Sequence, residues 1–563
     1  MRGLVPSYLK GFRPYLWLIL LCAALYVPGL AALPPVDRDE ARFMQATRQM
    51  LESGDIIRIR FQDEARNKKP VGIYWLQAAV VKAVSSAESR ERWPYRIPSV
   101  LGALLGVLFT FRLGQTLFDR RTGFFAAALF APCLLLVFEA HIAKTDAFLL
   151  GVMMIAQAAL ARIYMSARNG ADAGLPAALV FWAALGVGVL IKGPIAPVIC
   201  LLTAFFTHLA DRSAQLWRPL RPLIGVPLMI MIFLPWLVAI MVATDGHFAQ
   251  ESIGRDFFAK LMGGQELHGA PPGYYLLLMS FTFLPASLFV WPSLFFGWKY
   301  RRLGEMKFLL AWIVPYWLLI ELVPTKLPHY ALPLYPALAI LVARAAAMID
   351  TGLVDRLHHW LTRTYYVLWF ALVFAAAAGA AAATYWLGGF WSWWAIGAAV
   401  AVAICAAFAL RRAWQVRMTA ALGWAIAGAV LGFAPMWQFV VPGYDKVWVS
   451  RTAYNVVRKQ LSPGEPLPPV TALGFQEPSL VFYLGTNTLL GKVDEVVDYL
   501  IKQPRALAIV EARRDAAFQA ELTSQGKRVR KLAEFDGINY NRGLQVRLTL
   551  YAVWAPTGPG PNR

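Results

Sequence analysis

Apolar residues run through this chain in long stretches, each closed by a short polar connection. A helix needs about 20 apolar residues to cross the hydrocarbon of a bilayer. Thirteen stretches are predicted to be spans: 14–33, 97–117, 121–139, 145–165, 176–192, 194–210, 221–243, 273–297, 307–323, 330–350, 364–386, 391–411 and 419–440. Only Lys192-Gly193-Pro194 separates the fifth from the sixth. The first run is long, and Pro34-Pro35-Val36-Asp37 makes a poor cleavage site, so it reads as a retained span. Two segments break the pattern. Residues 40–52 have helical spacing with Phe43, Ala46, Met50 and Leu51 on one side, which predicts an amphipathic helix in the membrane interface. From 441 onward short β-like runs (Val470–Phe475, Ala506–Val510, Val546–Trp554) alternate with helical stretches such as Val493–Lys502, which predicts a small α/β domain.

Composition agrees with the pattern. Residues of the AVILMFWYC set make up 58% of the 563 and charged residues 15%, against about 45–50% and 25% in soluble chains. A single core stops growing near 250–300 residues, so the surplus must face lipid. This excludes a soluble enzyme, a disordered chain and a disulfide scaffold. The expected fold class is an α-helical polytopic integral membrane protein with transmembrane residues 1–440 and a C-terminal α/β domain over 441–563.

The net charge is +21. Its placement sets an orientation, because basic residues gather in cytoplasmic loops. With the N-terminus cytoplasmic, six even-numbered connections hold Arg120/Arg121, Arg162/Arg168, Arg212/Arg218/Arg221, Lys299/Arg301/Arg302/Lys307, Arg356/Arg363 and Arg411/Arg412/Arg417. Thirteen spans then place 34–94, 244–272 and 441–563 on the periplasmic side. No basic cluster is interleaved with aromatics on a soluble domain, so nucleic acid is not an expected partner; membrane lipids are. Cys22, Cys133, Cys200 and Cys405 lie in apolar runs without metal or disulfide spacing.

Candidate chemistry collects on the outer side. Asp39 and Glu40 open the helix predicted at 40–52, where the helix dipole favours carboxylates; a capping role alone would also place them there. Pro324-Thr325-Lys326-Leu327-Pro328-His329-Tyr330 packs a lysine, a histidine and a tyrosine into a proline-stiffened connection. A snorkelling lysine with interfacial aromatics is the plainer reading of it. Lys144, Asp146, Lys192, Arg255 and His268 lie on the same side. Several cations and a few carboxylates beside a membrane suit a ligand with a phosphate head and a lipid tail. His268 and His329 lack metal-ligand spacing, so no cofactor is expected, with a divalent metal as a minor alternative.

At these residues the chain resembles the GT-C polyprenyl-phosphate-sugar glycosyltransferases, the branch that includes protein O-mannosyltransferases and the bacterial lipid A aminoarabinose transferases. The resemblance rests on Asp39-Glu40-Ala41-Arg42-Phe43, Met50 to Asp55, Lys69-Pro70-Val71-Gly72-Ile73-Tyr74-Trp75, Arg96-Ile97-Pro98-Ser99, Lys192-Gly193-Pro194 and Lys326 to Pro333, in the family's order. The aminoarabinose transferases are the most similar group. The chain departs from the family pattern at Lys68, where an acid is common, and at Val71, where a second proline is. The resemblance implies a GT-C fold in the bacterial inner membrane. It implies transfer of a sugar, 4-amino-4-deoxy-L-arabinose in the nearest group, from undecaprenyl phosphate to lipid A. It also implies roles: Asp39 and Glu40 catalytic; Lys69, Arg255, Lys192 and Lys326 at the donor phosphate; Arg42, Asp146, His268, His329 and Tyr330 in the substrate pocket. Protein Ser/Thr or another glycolipid is the alternative acceptor. A lipid flippase or transporter is the non-enzymatic alternative, but it is expected to show internal repeats and mid-bilayer polar residues, and neither is visible.

Overall fold

The computed structural model describes residues 9–251, 270–352, 360–503 and 505–554. Every predicted apolar run carries helix. Among the described residues eight helices are long and apolar enough to cross a membrane singly, or ten when each of two bent pairs counts as one span. The bends fall at prolines, which remove a helical hydrogen bond. Helices Arg120–Phe130 and Leu134–Ala140 meet at 66° around Pro132, and Tyr274–Thr282 and Ala286–Lys299 meet at 120° around Pro285. The first run forms a shorter helix than expected, Arg13–Tyr26, closed before Pro28 and Gly29. Gly304–Leu322 has the length of a span but carries Glu305, Lys307 and Glu321.

Helix packing in lipid has little hydrophobic drive and depends on small residues that let backbones meet. Trp93–Leu117 and Asp146–Arg168 cross at Gly102 and Gly151. A Cβ on Gly102 would lie 2.3 Å from the Phe148 Cα, and one on Gly151 2.5 Å from the Gly102 carbonyl oxygen. This contact matters to the site, because it sets Arg96 and Ser99 at one end of the first helix beside Lys144 and Asp146. At the opposite end the basic connections are tied by acids. Asp211 pairs with Arg168 at 3.0 Å and Lys307 at 2.7 Å, and Arg344 with Asp119 at 3.0 Å.

We label α1 Asp39–Ser53 and α2 Gly72–Val84, with a two-stranded hairpin β1 (Arg60–Phe61) and β2 (Glu64–Ala65) between them. α1 contains the predicted amphipathic helix, and protein covers both of its sides. Phe43, Ala46 and Met50 are buried in the helical body, and Gln45 and Arg48 on the other side are buried too. The C-terminal domain covers that second side: Gln45 Nε2 donates to Thr486 Oγ1 at 2.8 Å, and Arg48 donates to the Phe482 carbonyl at 3.3 Å.

That domain begins at helix α3 (Val449–Lys459). Its sheet has the order β4-β3-β5-β7-β6, with β3 (Val470–Leu473), β4 (Leu489–Gly491) and β5 (Leu507–Glu511) parallel and β6 (Arg528–Asn539) and β7 (Leu544–Trp554) antiparallel. Alternation assigns the two faces. Val470, Ala472, Leu507 and Ile509 pack with α3 and α4 (Pro478–Leu484); Leu473, Ala508 and Val510 pack with α5 (Val493–Lys502) and α6 (Ala512–Ser524). The three predicted strands and the helix 493–502 are present; β4 and β6 were not expected.

Candidate active site

The site forms where the hairpin, the starts of α1 and α2, and the ends of several spans converge. Two local features place its residues. Arg38 adopts φ +67°, which swings the extended Pro34–Asp37 stretch into α1 and leaves Asp39 and Glu40 in its first turn. Gly72 lets the Lys69-Pro70 loop seat against the end of helix Leu175–Lys192, since a Cβ there would lie 2.7 Å from the Leu190 carbonyl oxygen.

Asp39 and Glu40 point to different worlds. Glu40 is fully buried. Its carboxylate accepts from Arg96 Nε at 2.8 Å and Nη2 at 3.1 Å, and from the Val36 and Ala143 amides at 2.7 and 2.9 Å. Arg96, also fully buried, donates its remaining protons to the carbonyls of Leu30, Leu33 and Pro34 at 2.8–2.9 Å. This corrects the expectation for Glu40: all its hydrogen-bonding capacity is spent holding the first loop to residues 96 and 143, and nothing remains for a substrate. Asp39 is exposed and makes no hydrogen bond or ion pair with another described residue.

Around Asp39 stand cations. Arg42 is half-buried; burial, and then Arg66 beside it, lower its pKa, while Asp39 opposes the shift. Arg66 lies over the Phe43 ring at 4.9 Å and donates to the Tyr74 hydroxyl at 3.2 Å. Burial raises the Tyr74 pKa, so that hydroxyl stays protonated. Lys144 bonds Glu139 at 3.0 Å and lies 3.5 Å from Asp146. Burial pulls its pKa down, but Glu139, Asp146 and Asp39 outweigh burial, and it sits above the usual lysine range. Lys192 reaches Asp146 at 2.5 Å, and His329 Nε2 lies 3.9 Å from the same carboxylate. Tyr330 meets His329 edge-on at 5.0 Å between ring centroids, and both line a cavity of about 30 Å³ with Asp146 and Lys192. Lys69 is half-buried and within electrostatic range of His329. A compact field of positive charge with one open carboxylate is suited to a phosphate leaving group beside a developing positive centre.

Lys326 does not join it, which corrects its expected place at the phosphate. It is 3% exposed, donates to the Glu321 carbonyl at 2.6 Å and its carboxylate at 3.3 Å, and lies 5.5 Å from the Tyr275 ring centroid. Arg255 and His268 lie outside the described residues. Among the described residues no three His, Cys, Asp or Glu side chains converge as metal ligands. Sequence reasoning passed over Glu139, whose Oε2 is buried without a hydrogen-bond partner. The available signal was a single acid inside the apolar run Leu134–Ala140, since ionisable groups at membrane depth are costly and mark function.

A polytopic helical membrane protein with this charged crevice under a small α/β cap has the GT-C fold. Residues 68–238 match the family model described as dolichyl-phosphate-mannose-protein mannosyltransferase. The chain is 26% identical over 368 residues to the undecaprenyl phosphate-alpha-4-amino-4-deoxy-L-arabinose arabinosyl transferase of Enterobacter sp. (strain 638), covering 63% of this chain and 64% of that one. It is 28% identical to the same-named protein of Pseudomonas aeruginosa (strain UCBPP-PA14), over 59% and 60% of the two chains. The alignments thus span about three-fifths of those relatives' length. In three dimensions the chain superposes on ArnT from Cupriavidus metallidurans bound to undecaprenyl phosphate, with TM-score 0.70, 20% identity and coverage of 97% and 99%. An oligosaccharyltransferase of Archaeoglobus fulgidus shares the fold more distantly, with TM-score 0.53, 11% identity and coverage of 91% and 71%. The resemblance to the aminoarabinose transferases read from the sequence therefore extends from motifs to fold.

Proposed function

We propose that this protein is a glycosyltransferase of the bacterial inner membrane. It moves 4-amino-4-deoxy-L-arabinose from undecaprenyl phosphate to a phosphate of lipid A on the periplasmic face, with its N-terminus in the cytoplasm. The observation that carries the reading is the open carboxylate of Asp39, within electrostatic range of Arg42 and Lys144, with Lys192 paired to Asp146 beside Lys144. The names of the aligned relatives support the donor and the sugar.

Breaking the bond between sugar and carrier leaves a phosphate monoester, so negative charge grows on its oxygens. Lys69 is the cation assigned to that phosphate, with Arg42 and Lys192 flanking. In a partly dry crevice such preorganised cations contribute more than they would in water. As the bond breaks, the anomeric carbon gains positive charge, which Asp39 stabilises. A lipid A phosphate is already largely ionised at pH 7, its second pKa being about 6, and attacks without a base.

The test is lipid A mass spectrometry from a strain lacking the protein, from the parent, and from the deletion strain expressing Asp39→Asn. The reading expects a pentosamine-sized addition in the parent and in neither of the others. An addition that persists in the deletion strain, or in the Asp39→Asn strain, refutes it.

A further inference from the structure

The C-terminal domain has a crevice of its own. Strand β3 lies between β4 and β5, and the chain leaves it first to one side and then to the other. Open parallel sheets bind ligands at such a reversal, outside the carboxyl ends of the strands. Here those ends open into a cavity of about 580 Å³ lined by Gln476, Lys492, Glu511, Arg513, Arg514 and Arg542. The volume is in the range of small-molecule sites and far exceeds one phosphate.

Its charge is out of balance. Glu511 is buried and tied to Arg513. The side chains of Lys492, Arg514 and Arg542 make no ion pair with any described residue. Three uncompensated cations around one cavity repel one another until an anion joins them. α6 begins at Ala512 on the cavity rim, and the Glu511 side chain before it makes no capping bond, so its first amides add positive potential, against Asp515 in the first turn. Gln476, which lines the cavity, offers a neutral amide of the kind that reads sugar hydroxyls; it already donates to the Gly491 carbonyl at 3.1 Å.

A chain of hydrogen bonds links the crevice to the first loop. Glu477, next to Gln476, accepts from Asn539 and Asn541 at 2.8 and 2.7 Å. The Asn541 carbonyl accepts from Arg38, the residue before Asp39, at 3.3 Å, and Arg542 follows Asn541. A polyprenyl donor keeps its tail among the spans, so a site in the cap serves the other substrate.

We propose that this crevice binds the phosphorylated sugar headgroup of the acceptor, a deepening that rests on the transferase reading. Arg514 and Arg542 hold the phosphate, and Gln476 faces the sugar.

The experiment uses the full chain in nanodiscs. Binding of glucosamine 1-phosphate, inorganic phosphate and glucosamine is measured by calorimetry with undecaprenyl phosphate already bound, for the parent and for the double variant Arg514→Ala/Arg542→Ala. Both residues changed are exposed, so the fold is retained, and equal melting temperatures verify it. The expected result is that the phosphosugar binds the parent more tightly than either fragment, that salt weakens it, and that the double variant weakens it at least tenfold. A second arm measures transfer: the variant raises KM for acceptor lipid while donor affinity and kcat stay at parental values. Equal phosphosugar binding by parent and variant overturns the proposal, as does inorganic phosphate matching the phosphosugar. If the parent transfers no sugar at all, the transferase reading fails, while the binding arm still judges the crevice alone.

Discussion

Asp39 and Glu40 are adjacent carboxylates with opposite assignments, and exchanging each separates structure from chemistry. Glu40→Ala removes four accepted hydrogen bonds and leaves the Arg96 guanidinium buried without its counter-charge. Removing one partner of a buried ion pair costs about 3–5 kcal/mol. Native domains are stable by only about 5–15 kcal/mol, so this is a large share, equivalent to roughly two to four powers of ten in the unfolded population. Glu40→Gln keeps an acceptor but turns an NH2 toward donors, and should cost about 1.5–3 kcal/mol, the contribution of a hydrogen bond to a charged group. Asp39→Asn lies on an exposed residue and should leave the fold unchanged while transfer falls at least a hundredfold. The assay is membrane yield and melting temperature in detergent, beside turnover of donor lipid. The order of melting temperatures should be parent equal to Asp39→Asn, then Glu40→Gln, then Glu40→Ala. A Glu40→Ala protein that melts with the parent refutes the assignment of Glu40 to holding the first loop.

Three further outcomes follow. Lys69→Gln should weaken donor-lipid binding about ten- to a hundredfold, whereas Lys326→Gln should lower melting and leave donor affinity alone; calorimetry with undecaprenyl phosphate on both variants decides. Gly102→Leu should abolish accumulation in membranes, because a Cβ there would lie 2.3 Å from the Phe148 Cα, and normal yield would disprove the close crossing. Burial in the seam, with the nearby Glu477 carboxylate, pushes the Asp37 carboxyl up to about 7, although Ser479 donates to it at 3.1 Å. Its folded pKa exceeds its unfolded one, so its stabilising effect is complete below about pH 4 and is lost as pH rises through 7. Melting temperatures from pH 5 to 9 should fall more steeply for the parent than for Asp37→Asn.

What the sequence revealed, and what it hid, follows from the range of the forces involved. Spans are written locally, as runs of apolar residues, and each run became helix. Proline marked both bent pairs, yet their angles depend on what packs beside them. Lys69, Lys192 and Asp146 were readable as charges on one side of a membrane, but Lys326 has the same local appearance. Only the fold shows that Glu321, one turn before the connection, has claimed it. Glu40 and Asp39 are indistinguishable in sequence; the difference is Arg96, fifty-six positions away. Strand β6, Arg528 to Asn539, was hidden by its own solubility. Arg, Lys, Glu and Asp along an edge strand discourage pairing with other chains and also erase the alternation that announces a strand.

The grip of the C-terminal domain on α1 sets a clock for biogenesis. The amide of Ser479 finds its acceptor on Asp37, 442 positions earlier, and Thr486 finds Gln45 across 441. At synthesis rates of about 5–20 residues per second, the ribosome needs roughly 20–90 s to deliver the second partner after the first. Through that interval α1 exists with one side packed and the other bare, and Asp39 is held from below only. The reaction site is thus finished last, although its carboxylate is made first, and a chain released early leaves a full set of spans around an unfinished crevice. Stop codons placed after Gly443 therefore remove more than a cap: they remove the wall against which the first loop is set.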